Sequence, residues 1–178
     1  VQMENGDKIF AKKIISACGA PNTWKRLVDK EKVPRGLIEK IDKLGLSCSF
    51  IYAFIGMEGT PEELELRSSN IWHWPNKDYD KMINDFEKDP VNAPMPMFIG
   101  FPCAKDSTWN TRYPGKSNAV ILTMAKYDMF KKWENTKLGK RGEDYEEFKK
   151  IFGERIIKEG LHHYYPKTIG KVKYLDVA

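Results

Sequence analysis

The hydrophobic pattern is most telling between Phe98 and Ala125, where two apolar runs, FIGF and AVILTMA, flank one long polar excursion. Both runs are rich in aromatic and β-branched residues with polar or turn-forming residues on either side, which predicts two strands. The connection from Pro102 to Ser117 is too long for a tight hairpin and carries Lys105, Asp106, Trp109, Arg112 and Tyr113, so it is either functional or tightly packed. From Ser47 to Met57 the chain is apolar on both alternating faces, Phe50, Tyr52 and Phe54 on one and Ile51, Ala53 and Ile55 on the other, which predicts a central strand covered on both sides. Asn70 to Trp74 and Val172 to Val177 read as further strands. At the start, VQM and KIFA around Asn5-Gly6 predict a hairpin, followed by a strand, IISA, that runs into the corner Cys18-Gly19-Ala20-Pro21. That corner reads either as a close backbone approach or as a plain turn.

Helical spacing predicts helices over Gly36 to Leu44, Asp78 to Phe86 and Asp128 to Trp133, with the longest from Asp144 to about His163 on a stripe of Tyr145, Phe148, Phe152 and Ile156. Thr23 is placed to cap a short helix through Leu27 and Val28. Gly59 to Glu63 reads as a turn into a short helical piece, and Pro166 as a helix stop. Together these elements predict an α/β chain of the α+β kind. Its mixed, mostly antiparallel sheet would contain Ser47 to Met57, Phe98 to Phe101 and Ala119 to Ala125, with covering helices and the Asp144 helix packed outside.

Length and charge narrow this little further. A chain of 178 residues buries one sizeable core. The net charge of +5 is spread over intermixed acidic and basic residues without a single-sign block, which argues for a solvated surface and against a nucleic-acid partner. Cys18, Cys48 and Cys103 are far apart and show no C-x-x-C spacing, so free thiols are expected, and neither a disulfide framework nor a metal site. His73 lies between Trp72 and Trp74 without a second ligand at metal spacing, and the adjacent His162 and His163 point in different directions. No apolar run is long enough for a membrane helix. The start at Val1 and the strand-like end KVKYLDVA suggest an internal piece of a longer protein. GxGxxG, Walker A, GxSxG and HExxH motifs are absent, so the sequence singles out no catalytic residue.

Four segments, GDKIFAKKIISACGAPNTW, FIGMEGTPEELEL followed by SSNIW, FPCAKDSTWNTRYPGKS and GKRGEDYEEFK, cover the chain in an order and spacing that resemble retinol saturases. These belong with the flavin-dependent polyene oxidoreductases that include carotenoid isomerase and phytoene desaturase. The resemblance implies part of an amine-oxidase-like, two-domain FAD/NAD(P)-binding fold, with residues 1–33 at the edge of the FAD-binding domain and 34–178 in a substrate-binding domain truncated at its C-terminus. It implies an oxidoreductase acting on CH–CH groups, which reduces a double bond of all-trans-retinol or a similar polyene with FAD as carrier and NAD or NADP as electron donor. The fragment alone would be inactive.

By the same resemblance Ala17, Cys18 and Gly19 face the flavin, relatives usually carrying Asn in place of Cys18. Trp72, Trp74, Phe98 and Phe101 line the pocket of an apolar isoprenoid, retinoid or carotenoid, with core packing as the competing reading. Lys105, Asp106 and Arg112 would form an ion-paired knot anchored by Trp109, or else make catalytic or cofactor contacts. The implied setting is the endoplasmic reticulum membrane, or a plastid, with membrane association through segments outside these residues. The alternatives in function are a carotenoid isomerase or desaturase acting on a longer polyene, and a non-catalytic lipid-binding domain of the same fold.

Overall fold

The computed structural model describes residues 1–45 and 47–178, which form two compact units, Val1–Ser47 and Cys48–Ala178. In the first unit the Asn5-Gly6 turn forms with Gly6 at φ 90°, but the hairpin amounts to a single bridge between Gln2 and Lys8. The expected strand IISA has no ladder partner among the described residues, and Phe10 and Ile15 are 88% and 95% exposed. A strand needs a neighbour to take its amides, and the described residues of this unit supply none. A short helix, α1, Ala20–Asn22, continues as a π turn over Thr23–Leu27. Thr23 therefore sits inside the helical stretch instead of capping it, its hydroxyl donating to the Gly19 carbonyl at 2.9 Å. Helix α2, Leu37–Leu44, lies where its spacing placed it.

The second unit holds five strands, β1 Ser49–Glu58, β2 Ile71–His73, β3 Met97–Gly100, β4 Lys116–Ala125 and β5 Val172–Val177, in the order β2-β3-β4-β1-β5. All four pairings are antiparallel. Helix α3, Tyr79–Lys88, starts where the Asp78 side chain accepts from the Lys81 amide at 3.0 Å. A four-residue helix, α4, Trp109–Arg112, lies in the β3–β4 connection. The longest helix, α5, Glu143–Arg155, begins after Gly142, carries three acidic residues on its positive end, and widens into a π turn over Ile156–His162.

The segment after Gly59 is a turn and not the expected helix. Thr60 and Glu63 cap each other's amides at 2.8 and 3.2 Å, but Glu65 at φ 56° ends the run after one turn. One face of the sheet packs under α3 and α5, where Ile51, Ala53, Ile55, Ile99, Ile121, Phe86, Phe152, Ile156 and Leu161 make the core. The close approach of α5 depends on two glycines. A Cβ at Gly153 would sit 2.8 Å from Leu175 and 3.1 Å from Val177, and one at Gly160 would sit 3.0 Å from Met97. The expectation that β1 is covered on both faces is corrected: it is interior to the sheet, yet Phe50, Tyr52 and Phe54 are 44%, 37% and 41% exposed. Helices α3 and α5 stack on its other face, so the apolar alternation of β1 marks a second surface that the described residues of this unit leave uncovered.

Candidate functional site: an open aromatic sheet face

Because successive strand residues point to opposite sides, the register fixes which residues share the open face. One row crosses four strands, from Trp72 through Phe98 and Leu122 to Tyr52. The next runs from Gly100 through Val120 and Phe54 to Asp176. Trp72 meets the edge of Phe98 at 5.0 Å and stacks on Trp74 at 6.3 Å, while Tyr52 stacks on Phe54 at 5.9 Å and meets the edge of Phe50 at 6.5 Å. The Phe98 ring lies along its strand over Gly100: a Cβ there would sit 3.3 Å from the ring and 3.2 Å from Asn70 Oδ1. A face this apolar, with few polar atoms, fits an apolar ligand or another protein surface.

The structure therefore brings Trp72, Trp74 and Phe98 together and sends Phe101 to the other side of the sheet. There Phe101 is fully buried against Tyr165, with ring centroids 4.6 Å apart. Tyr52, Phe54, Val120 and Leu122 belong to the same face and were missed as site residues. Their signal was the apolar alternation itself, read as a strand covered twice.

The β3–β4 connection borders this face and is built by its own contacts. Trp109, half-buried, donates from Nε1 to the Lys116 carbonyl at 2.7 Å and leans on Tyr113 at 4.6 Å. Asp106 accepts from the Thr108 amide and hydroxyl at 2.9 and 2.7 Å and pairs with Arg112. Those Thr108 bonds first, and the Arg112 charge after them, hold its carboxyl below the usual range. Buried Cys103 anchors the loop to β4, its amide donating to Asn118 Oδ1 at 2.9 Å, and burial pushes its thiol up. Lys105 stands outside the expected knot: its ammonium donates to Asn70 Oδ1, at the border of the open face.

On the covered side His73 Nδ1 lies 2.7 Å from the Tyr164 hydroxyl, and burial, then the charge of His163, lowers the pKa of its ring. A cleft of about 480 Å³ lies nearby, floored by Leu64, Ile71 and Tyr165 and rimmed by Arg67 and the Glu65–Lys167 ion pair. Its charged rim suits an apolar polyene poorly.

Ala17, Cys18 and Gly19 lie in the other unit. Gly19 is at φ 87° and its missing Cβ faces open space apart from Pro21 at 3.9 Å. Cys18 Sγ is 3.2 Å from the Ser16 hydroxyl and 3.4 Å from that of Thr23, and these bonds, Ser16 first, hold its thiol below its ordinary value. Among the described residues no group of three His, Cys, Asp or Glu side chains is arranged to hold a metal ion, and no helix is long and apolar enough to cross a membrane.

No protein-family model and no solved structure matches the chain. Curated proteins do. An all-trans-retinol 13,14-reductase of Danio rerio is 33% identical over 93% of the chain, and that of Homo sapiens 30% identical over the same share. The chain is homologous to the all-trans-retinol 13,14-reductases. It spans 28% of the length of these relatives. A second Danio rerio homologue, 32% identical over 88% of the chain, is named an inactive all-trans-retinol 13,14-reductase. The resemblance carried by the four sequence segments thus holds along nearly the whole chain. It places the open aromatic face and the Trp109 loop within the span shared with the retinol reductases.

Proposed function

We propose that this chain forms the substrate wall of a flavin-dependent reductase that saturates a carbon–carbon double bond of all-trans-retinol or a similar polyene. The observation that carries this reading is the open face: two ranks of aromatic and aliphatic side chains on a sheet whose other face is a finished core. A conjugated, methyl-branched chain buries apolar area on such a surface at about 25 cal/mol per Å². The π-faces and edges of Trp72, Phe98, Tyr52 and Phe54 hold it flat. The homologues named for reduction of retinol support the retinoid as the substrate class.

FAD, when bound, supplies the hydride chemistry, with NAD or NADP as the electron source. Ala17, Cys18 and Gly19 fit a contact to the flavin's polar edge, since the corner is small, exposed and free of a side chain at Gly19. A single corner offers too few directed backbone donors to hold a dinucleotide, so the tight phosphate contacts fall to residues other than these. A substrate that partitions into lipid suits a protein at a membrane, and we place it at the endoplasmic reticulum, with a plastid as the alternative for plant or algal relatives.

The test is reduction of all-trans-retinol by the flavin-loaded protein at its full natural length with a nicotinamide donor. Saturating one bond shortens the conjugated system, so the expected result is a blue-shifted absorbance band. An unchanged band after complete flavin reduction and reoxidation in the presence of retinol would overturn the reading. The inactive relative favours a second reading, a polyene-binding protein without catalysis. It would bind retinol with tryptophan quenching and show no band shift.

A further inference from the structure

The open face is apolar in its middle and polar at its borders, at Asp176 on β5 and at the corner by Asn70. Asn70 precedes β2 and shares the face with Trp72, and its Oδ1 and the edge of the Phe98 ring converge over Gly100, 3.2 and 3.3 Å from where a Cβ would stand. Lys105 reaches this amide from the β3–β4 connection and donates to Oδ1. Its neighbour Asp106 is already committed to Thr108 and Arg112, and among the described residues no carboxylate pairs with Lys105. An ammonium with three N–H donors, one of them spent on an amide oxygen that keeps a second lone pair, stands where the aromatic ranks end.

We propose that Asn70 and Lys105 form the anchor for the terminal hydroxyl of the substrate and so select a polyene alcohol over a polyene hydrocarbon. The inference rests on the retinoid-reductase reading above and assigns that site its polar end. An alcohol oxygen accepts from the Lys105 ammonium while its O–H donates to the free lone pair of Asn70 Oδ1, so both polar atoms of the hydroxyl group find partners. A hydrocarbon in the same place takes water from the ammonium and the amide and leaves them only each other as partners. Sites built to hydrogen-bond a substrate hydroxyl reject the analogue that lacks it by large factors, whereas apolar walls discriminate weakly. The polyene then extends from this corner along the aromatic ranks, and its length is limited at that end. A long carotene carrying hydrocarbon at both ends meets the corner without a matching group.

The test is steady-state kinetics of the flavin-loaded protein at its full natural length on two compounds of one skeleton, all-trans-retinol and the hydrocarbon with hydrogen in place of the hydroxyl. Lys105→Met removes the donors and keeps the side-chain length, and Lys105→Arg restores donors. The expected result is a KM for the alcohol raised about 10- to 100-fold in Lys105→Met, with kcat within about threefold and the hydrocarbon's KM unmoved, and recovery of most of the loss in Lys105→Arg. Equal losses for alcohol and hydrocarbon, or no loss for either, would overturn the anchor. If the wild-type protein reduces neither compound, the reductase reading fails and the anchor is read separately, by quenching of tryptophan fluorescence. An alcohol-to-hydrocarbon affinity ratio that collapses in Lys105→Met supports it, and a ratio that stays the same overturns it.

Discussion

Trp72 lies on β2 and Phe101 directly follows the neighbouring β3, and parity alone decides that one is 64% exposed and the other fully buried. Their truncations should therefore separate. Phe101→Ala is expected to lower stability by about 3–5 kcal/mol through the cavity left beside Tyr165. Trp72→Ala should lose about 1 kcal/mol, mostly its edge contact with Phe98. Denaturant unfolding of the two variants side by side checks this, and comparable losses would place both in one environment. His73 yields a prediction in pH. Burial and the charge of His163 depress its folded pKa, with Glu159 opposing them, so the unfolded chain takes up the proton first as pH falls. Stability should decline as pH drops below the ordinary histidine value of about 6.5, and His73→Gln should flatten that decline in a comparison of unfolding midpoints at pH 7.5 and 5.5. The four pocket residues were legible as aromatic strand positions. Their division between two faces was not, because it depends on which side the helices cover.

At the level of elements, the connection over residues 102–117 holds its shape through one indole. Trp109 is half-buried and hydrogen-bonded, so Trp109→Ala should cost about 2–4 kcal/mol, below the range for a fully buried aromatic. Trp109→Phe should cost about 1 kcal/mol, the indole hydrogen bond alone, and urea unfolding resolves the two. In α5, Gly153→Ala gains roughly 1 kcal/mol of helix propensity and forces Leu175 and Val177 aside. A net loss of about 1 kcal/mol by thermal unfolding is expected, with a net gain showing that β5 yields easily. Helix α2, α3 and α5 and the strands of the second unit stood out in the sequence because their periodicity and caps are local signals, such as Asp78 before α3. IISA misled for the opposite reason: its β-branched residues state a preference, while a strand exists only with a partner in register. Thr60 and Glu63 formed their reciprocal cap and still made no helix, since the left-handed Glu65 that stops it carries no sequence mark.

For the molecule as a whole, the uncovered face dominates its behaviour. The 178-residue chain in isolation is expected to bind an environment-sensitive hydrophobic dye and to associate as concentration rises, with Phe54→Lys reducing both while leaving the unfolding midpoint within a few degrees. Sedimentation and dye fluorescence measure this, and a monomer dark to the dye would mean that the aromatic ranks close on themselves. The same chain should emerge from purification colourless, since one corner at Cys18 and Gly19 is its flavin contact in our reading. The architecture of the second unit was readable because apolar runs and helix stripes add up to one core. The open face hid in the same signal, because an apolar residue reports that it will be covered and is silent about what covers it.

The sheet order has a consequence in time. Strand β1 pairs with β4 and β5, and neither exists when β1 leaves the ribosome. At roughly 5–20 residues per second, synthesis from Glu58 to Ala125 takes on the order of 3–13 s, and β5 follows later still. Through that interval the ten residues of β1, apolar on both sides, are a nascent ribbon with two sticky surfaces and two unpaired edges. Until β4 and β5 follow, those surfaces and edges are open to the wrong partners.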